Sequence, residues 1–296
     1  MSSTYEVLLR ARSFLMGSRR DVTTTITGAA LTSSGTSVTL GSGNGIAAGS
    51  LLEIGRELLL VVSAGASPTF TVSRGYGGTT PAAHATGAYV VANPTVTMQS
   101  LMDAANAELA SLSSPANGLF RVAHKDISSN LGKIGFDLGV DEPTAFLDVI
   151  SIRYRESNLG DWVRMPKGDY ELVREADTTD FPSGIGIMFS RGLPGTQTTK
   201  VVFKMAFGSL SDLTEDVPSV TGLPWTAEDI VAMGAAIRIS EAREIARADL
   251  AAQPDPRRAA EVPMGNALQA GSALRKSRRD RIAEEAARLN QQWARA

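Results

Sequence analysis

Leu52-Glu-Ile-Gly-Arg-Glu-Leu-Leu-Leu-Val61, then Phe70-Thr-Val-Ser-Arg-Gly-Tyr-Gly-Gly-Thr79, then Ala82-Ala-His-Ala-Thr-Gly-Ala-Tyr-Val90 sets the architecture of the first third of the chain. The runs Leu58–Val62, Phe70–Arg74 and Ala88–Ala92 are short, β-prone and bounded by turn residues, so they read as strands. Gly75, Gly77 and Gly78 permit a tight loop after the second of them. Arg74 and His84 are placed to hydrogen-bond the carbonyls of that loop.

Outward from this stretch, Val22–Thr27 and Ser37–Leu40 add two more strands, and Thr, Ser and Gly fill the intervals. The expectation is a small Thr/Gly-rich β-barrel or sandwich over residues 21–96. A helix at 5–16, stopped by Gly17, precedes it within residues 1–20. After Pro94 the period changes: Met98, Leu101, Met102, Ala105, Leu109 and Leu112 recur at three- and four-residue steps, which predicts a helix within 97–115.

Residues 116–210 read as a second β domain, a sandwich. Val201–Phe207 alternates cleanly, Phe146–Tyr154 is a second strand, and Trp162–Met165 with Tyr170–Val173 predicts a hairpin turning at Pro166–Asp169. Residues 211–296 are expected to be helical. Thr226 and Asp229 form a capping pair, and Trp225 is set to staple onto Ile230. That helix is expected to run to Ala252 and end at Pro254 and Pro256, with Glu244 pairing with Arg247. A last helix from about Leu274 carries Ile282, Ala286, Leu289 and Trp293, too few apolar residues to hold it alone, so it calls for a partner surface. The fold class is therefore α+β.

Length and composition bound the function. The 296 residues suffice for about two domains. With 43% hydrophobic and 20% charged residues the chain is neither a disordered polyelectrolyte nor a membrane protein. The segment Tyr5–Met16 is interrupted by Glu6, Arg10 and Arg12, so it does not read as a signal peptide and no export is expected. Cysteine is absent, which excludes disulfides, iron–sulfur clusters and thiol chemistry, and His84 and His124 alone are a poor basis for a zinc site or a triad. Gly41-Ser-Gly-Asn-Gly45 leads into another strand rather than a helix, so it lacks the helix N-terminus that holds a phosphate. No Gly-x-Ser-x-Gly elbow and no His-Glu-x-x-His pair occurs. Neither catalysis nor a cofactor or metal is expected.

Net charge is −2, unevenly distributed: Arg257–Arg281 carries +5 and the remainder −7. Arg275, Lys276, Arg278, Arg279 and Arg281, with Ile282, Leu289 and Trp293 beyond them, make a basic helix that can face DNA phosphates or dock on an acidic protein surface. A solvated helix face is the plainer reading, and no base-reading motif accompanies the charges.

The pattern "aliphatic strand, Arg-Gly-x-x-Gly-Thr, Ala-Ala-His, Gly-Ala-x-Val" resembles a β module of tailed-bacteriophage structural proteins, matched by Arg74, Gly75, Gly78, Thr79, His84 and Gly87. Leu223-Pro-Trp-Thr226, Ala235–Glu244, and Pro256-Arg-Arg258 with Glu261-Val-Pro263 resemble the tail end of actinobacteriophage head-to-tail connector proteins. The resemblance implies a portal adaptor: a homo-oligomeric ring, commonly twelvefold, in the virion neck, assembled in the host cytoplasm. It would contact the portal protein and tail-side neck proteins and surround the DNA exit channel during packaging and ejection. A head–tail stopper, another tail component or a glycan-binding fibre protein is the alternative, since many adaptors are shorter and mainly helical. No membrane contact is implied.

Overall fold

The computed structural model describes residues 2–16, 20–128, 133–155, 161–191, 198–252 and 265–294; for 244–252, 265–270 and 294 it describes the backbone alone. The chain is α+β, with helices at its start, middle and end and β-sheets between them. It divides into two compact units. The first draws on Met1–Glu108, Leu210–Val220 and Pro224–Asp280, the second on Leu109–Ser209, Thr221–Leu223 and Arg281–Ala296.

In the first unit, helix α1 (Thr4–Met16) opens with a capping box. Ser3 N donates to Glu6 Oε2 at 3.0 Å, and Glu6 N donates to Ser3 Oγ at 3.3 Å. Thr4, Val7, Leu8, Ala11 and Arg12 form its buried face, at helical spacing.

Six strands follow: β1 (Val22–Thr25), β2 (Ser37–Thr39), β3 (Leu51–Ile54), β4 (Glu57–Ala64), β5 (Thr69–Ser73) and β6 (Tyr89–Ala92). They form one antiparallel sheet in the order β1-β6-β3-β4-β5-β2. The sheet curls until its two edges meet, through a bridge between Ile26 and Leu40 and a 2.8 Å bond from Gly41 N to Thr25 O. Alternate residues point into the curl, and Ile26, Val38, Leu40, Leu52, Ile54, Leu59, Val61, Phe70, Val72 and Val90 make its core. The expected small β domain is thus a curled, barrel-like sheet.

Helix α2 (Met98–Leu112) begins where Thr97 Oγ1 accepts from Ser100 N at 3.1 Å. Leu101, Met102, Ala105, Leu109 and Leu112 are buried, as their period predicts.

The second unit contains β7 (Arg121–Ser128), β8 (Gly135–Asp137), β9 (Phe146–Arg155), β10 (Trp162–Arg164), β11 (Tyr170–Arg174), β12 (Ile185–Phe189) and β13 (Thr198–Met205). They form a four-stranded sheet, β10-β9-β13-β7, and a three-stranded sheet, β11-β12-β8. Both sheets contribute to one apolar cluster: Ile152, Val201, Phe203 and Met205 come from the first, Phe136, Ile187 and Phe189 from the second. This is sandwich packing.

The expected hairpin is overturned. Trp162–Arg164 pairs with β9 and Tyr170–Arg174 with β12, in different sheets. Met165 N still reaches Ile152 O at 2.8 Å. Pro166, which has no N–H to donate, ends that ladder, and a 3-10 turn at Lys167–Asp169 carries the chain across to the other sheet.

Helix α3 (Val217–Thr221) is short; α4 (Glu228–Ala252) and α5 (Gly265–Ala294) are long. The Trp225 staple is also overturned. Trp225 is 75% exposed while Ile230 is fully buried. Residues 225–227 form a 3-10 turn closed by Ala227 N on Pro224 O, so α4 starts at Glu228 and Trp225 is turned outward. Helix α5 begins nine residues before the expected Leu274, because Ala267, Leu268, Gln269, Ala270 and Ala273 favour helix whether or not they build an apolar stripe. Gly17, Pro254, Pro256, Arg257, Arg258 and the Glu244–Arg247 pair lie outside what is described. No described helix is long and apolar enough to cross a membrane.

Candidate functional site

The loop that follows β5 is built around a carboxylate that its own sequence pattern does not mark. Glu57 opens β4, and its side chain is 1% exposed. Arg74, at the end of β5, closes on it in fork geometry: Nε donates to Oε1 at 2.6 Å and Nη2 to Oε2 at 2.7 Å. Gly75 N donates to Oε1 at 3.3 Å and Ala82 N to Oε2 at 3.1 Å. His84 Nε2 lies 2.8 Å from Oε2 and donates, because an ionised carboxylate can only accept. Five donors therefore converge on one carboxylate.

Burial alone would raise the Glu57 pKa. The hydrogen bonds from Arg74, Ala82 and His84, with the Arg74 charge, outweigh burial and lower it from the ordinary 4.5 to about 2. Glu57 is thus a fixed anion, unsuited to exchanging a proton near neutrality.

The rest of the motif is equally engaged. Arg74 Nη1 also reaches the carbonyls of Thr32 and Gly35, and Nη2 that of Ala82. Arg74 thus secures carbonyls of Thr32, Gly35 and Ala82 rather than those of the loop at 75–78, and the His84 ring serves Glu57. The His84 backbone exchanges two 2.8 Å hydrogen bonds with Leu31. Thr79 Oγ1 accepts from Leu58 N and donates to Tyr76 O, both at 3.0 Å. Gly75 sits at φ 62°, and a Cβ there would meet Thr79 O at 2.7 Å, so glycine is required on both counts. Gly78 and Gly87 also have positive φ.

A second buried carboxylate, Glu53 on β3, behaves oppositely. It accepts from Met98 N at the start of α2 and from Arg12 Nη1 at 3.4 Å, but Arg12 holds Asp21 more closely through Nη2. Burial pushes the Glu53 carboxyl up to about 7, against the opposing pull of Met98 and Arg12 and with help from the Asp21 charge. Between pH 4.5 and 7 the unfolded chain releases this proton while the folded chain keeps it, so stability falls as pH rises through that window. At roughly 1.4 kcal/mol per pH unit the fall reaches about 3 kcal/mol. Urea unfolding at about pH 5 and pH 7.5 should show a smaller pH dependence in Glu53→Gln; equal slopes in both proteins would refute the assignment.

Three cations of the basic segment are ion-paired within the chain. Arg275 pairs with Glu241 at 2.8 Å and Arg278 Nε donates to Glu108 at 2.6 Å, while Arg281 pairs with Glu284 and Glu285 on its own helix. Ile282 and Leu289 are buried within the chain, and Ala286 and Trp293 are half-buried. Lys276 and Arg279 are exposed. Of the three paired arginines, Arg278 shares Glu108 with Arg238.

Glu57 and Glu108 are the organising residues that sequence reasoning missed. His124 is exposed on β7, and among the described residues no group of three or more His, Asp or Glu side chains is arranged to hold a metal. No protein-family model matches the chain, and no curated protein matches it.

Proposed function

We propose that the chain is a structural subunit of a tailed-bacteriophage head-to-tail connector, acting as the portal adaptor of the virion neck. The observation that carries this reading is the convergence on Glu57. Arg74, Gly75, Thr79 and His84, which match the virion β module, together fix one loop, so the module's signature residues do mechanical work in this chain. A carboxylate lowered to about 2 and an arginine bonded to four groups make a rigid joint, which suits a component that bears load and performs no turnover.

Ring closure would use repeated heterologous contacts between copies. Contacts to the portal would fall to the cations that α5 leaves exposed, Lys276 and Arg279, since truncating the helix would also strip Arg278 from Glu108. Lys276→Glu with Arg279→Glu should therefore reduce co-assembly with portal while leaving the unfolding midpoint within error. Electron microscopy or native mass measurement of the chain mixed with portal is expected to show rings of about twelve copies. A monomer in the presence of portal would sink the adaptor reading, and a trimer would point to the fibre alternative.

A further inference from the structure

We infer that the outward face of the four-stranded sheet binds the phosphate backbone of duplex DNA through Arg153, Arg155, Arg164 and Lys200. The register places these residues together. Arg164 of β10 lies opposite Arg153 of β9, which lies opposite Lys200 of β13, so three cations occupy one row across three strands. Arg155 is two residues along β9 from Arg153 and shares its face. Neighbouring Ile152 and Val201 point the other way, into the core. Their backbone positions are therefore about 4.8 Å apart across the strands and about 6.7 Å apart along them.

Two observations distinguish this patch from an ordinary charged surface. First, its arginines are not neutralised by the described residues: no carboxylate among these pairs with Arg153, Arg155 or Arg164, while Lys200 pairs loosely with Asp126 at 3.9 Å. Asp161, beside Trp162, and Glu156, beside Arg155, are the other acids close in sequence; Glu156 lies outside the described residues. Second, it is organised. The Arg155 guanidinium carbon lies 4.5 Å from the centroid of the Trp162 ring and Lys200 Nζ lies 5.7 Å from it. The ring restrains two cations without cancelling their charge.

The same geometry indicates the partner. A ring already carrying two cations is no open platform for an unpaired base, which argues against a single strand. A duplex presents one negative charge per roughly 1.7 Å of axis, a denser and more continuous array than the carboxylates of a protein surface. Binding would be sequence-independent, since these residues show no arrangement for reading base edges. This inference goes beyond the connector reading and does not depend on it.

The test is fluorescence anisotropy of a labelled duplex of about 30 base pairs against the full chain at low salt. The plot of log affinity against log salt should have a slope of about −3 to −4, from roughly −0.9 per neutralised phosphate. Arg153→Glu with Arg164→Glu should weaken binding at least tenfold, and Arg153→Gln with Arg164→Gln by a smaller factor. Arg20→Glu with Arg191→Glu, which makes the same change in net charge on exposed residues elsewhere, should bind as the original chain does. Thermal unfolding of each variant separates lost binding from lost folding. Undiminished binding in the folded patch variants would overturn the inference, as would equal competition by polyglutamate or tighter binding of a single strand of the same length. Should DNA binding fail while rings form with portal, the patch assignment falls and the connector reading stands; the reverse pair of results separates them the other way.

Discussion

Glu57→Gln should lower the unfolding free energy by about 3–5 kcal/mol, the range observed when one partner of a buried ion pair is removed. Glutamine keeps the shape of the side chain but replaces one accepting oxygen with an NH2 group. Oε1 faces Arg74 Nε and Gly75 N, and Oε2 faces Arg74 Nη2, Ala82 N and His84 Nε2, so either orientation sets donors against donors. The Arg74 side chain, 7% exposed, would keep its charge with no counter-charge. Removing both charges together, as Glu57→Leu with Arg74→Met, should recover a large part of the loss, because the remaining apolar pair leaves no buried ion unpaired.

The pH dependence provides an independent measure. The folded-state pKa of Glu57 is lowered from 4.5 to about 2, so its contribution is complete above pH 4.5 and disappears as pH falls towards 2. At roughly 1.4 kcal/mol per pH unit, the amount lost is about 3 kcal/mol. That acid-side loss does not overlap the Glu53 window, which runs from 4.5 to about 7 in the opposite direction. Urea unfolding of Glu57→Gln should be nearly flat below pH 4.5 with respect to this residue. A stability within about 0.5 kcal/mol of the original at neutral pH would mean the carboxylate does not hold the loop.

What was legible in the sequence follows from the range of the interactions. Met98–Leu112 and the face of β13 carry their partners' imprint within a few residues, since burial of one side writes a period into the chain. The hairpin failed because Pro166 is compatible with a turn between paired strands and equally with a crossing between sheets. The choice is made by β9 and β12, which lie outside the local window. Glu57 stood in the quoted stretch, but its partner Arg74 is 17 residues away and a lone glutamate at a strand start reads as solvated. The ion pairs of the basic helix were hidden for the same reason at longer range: Arg278 finds Glu108 across 170 residues. The cations of the four-stranded sheet come from three separate strands, and only the register brings them into one row.

Gly234→Ala should destabilise the protein by about 3 kcal/mol, although the same change in an exposed helix interior ordinarily stabilises by about 1 kcal/mol. Gly234 lies in α4 with ordinary helical geometry, so the usual argument from helix propensity predicts a gain. The neighbour reverses the sign. A Cβ at this position would overlap the carboxyl carbon of Glu108 and lie 2.5 Å from its Oε1. Glu108 is 1% exposed on α2 and accepts from Arg238 Nε at 3.2 Å as well as from Arg278. It has no flexible end to yield, because the overlapped atoms are the ones the arginines hold. The methyl group must therefore displace the carboxylate, adding the strain of overpacking, typically 1–3 kcal/mol, to the loss of two charge-assisted bonds. Arg238 and Arg278 are partly exposed and can recover hydration, which keeps the second contribution well below that of a fully buried pair. The decisive comparison is a double-mutant cycle with Glu108→Ala. Once the glutamate is gone the alanine methyl has space, so Gly234→Ala should be neutral or stabilising in that background, giving an interaction energy of at least about 2 kcal/mol. Equal effects in both backgrounds would show that the close approach of Glu108 to α4 does not govern this position.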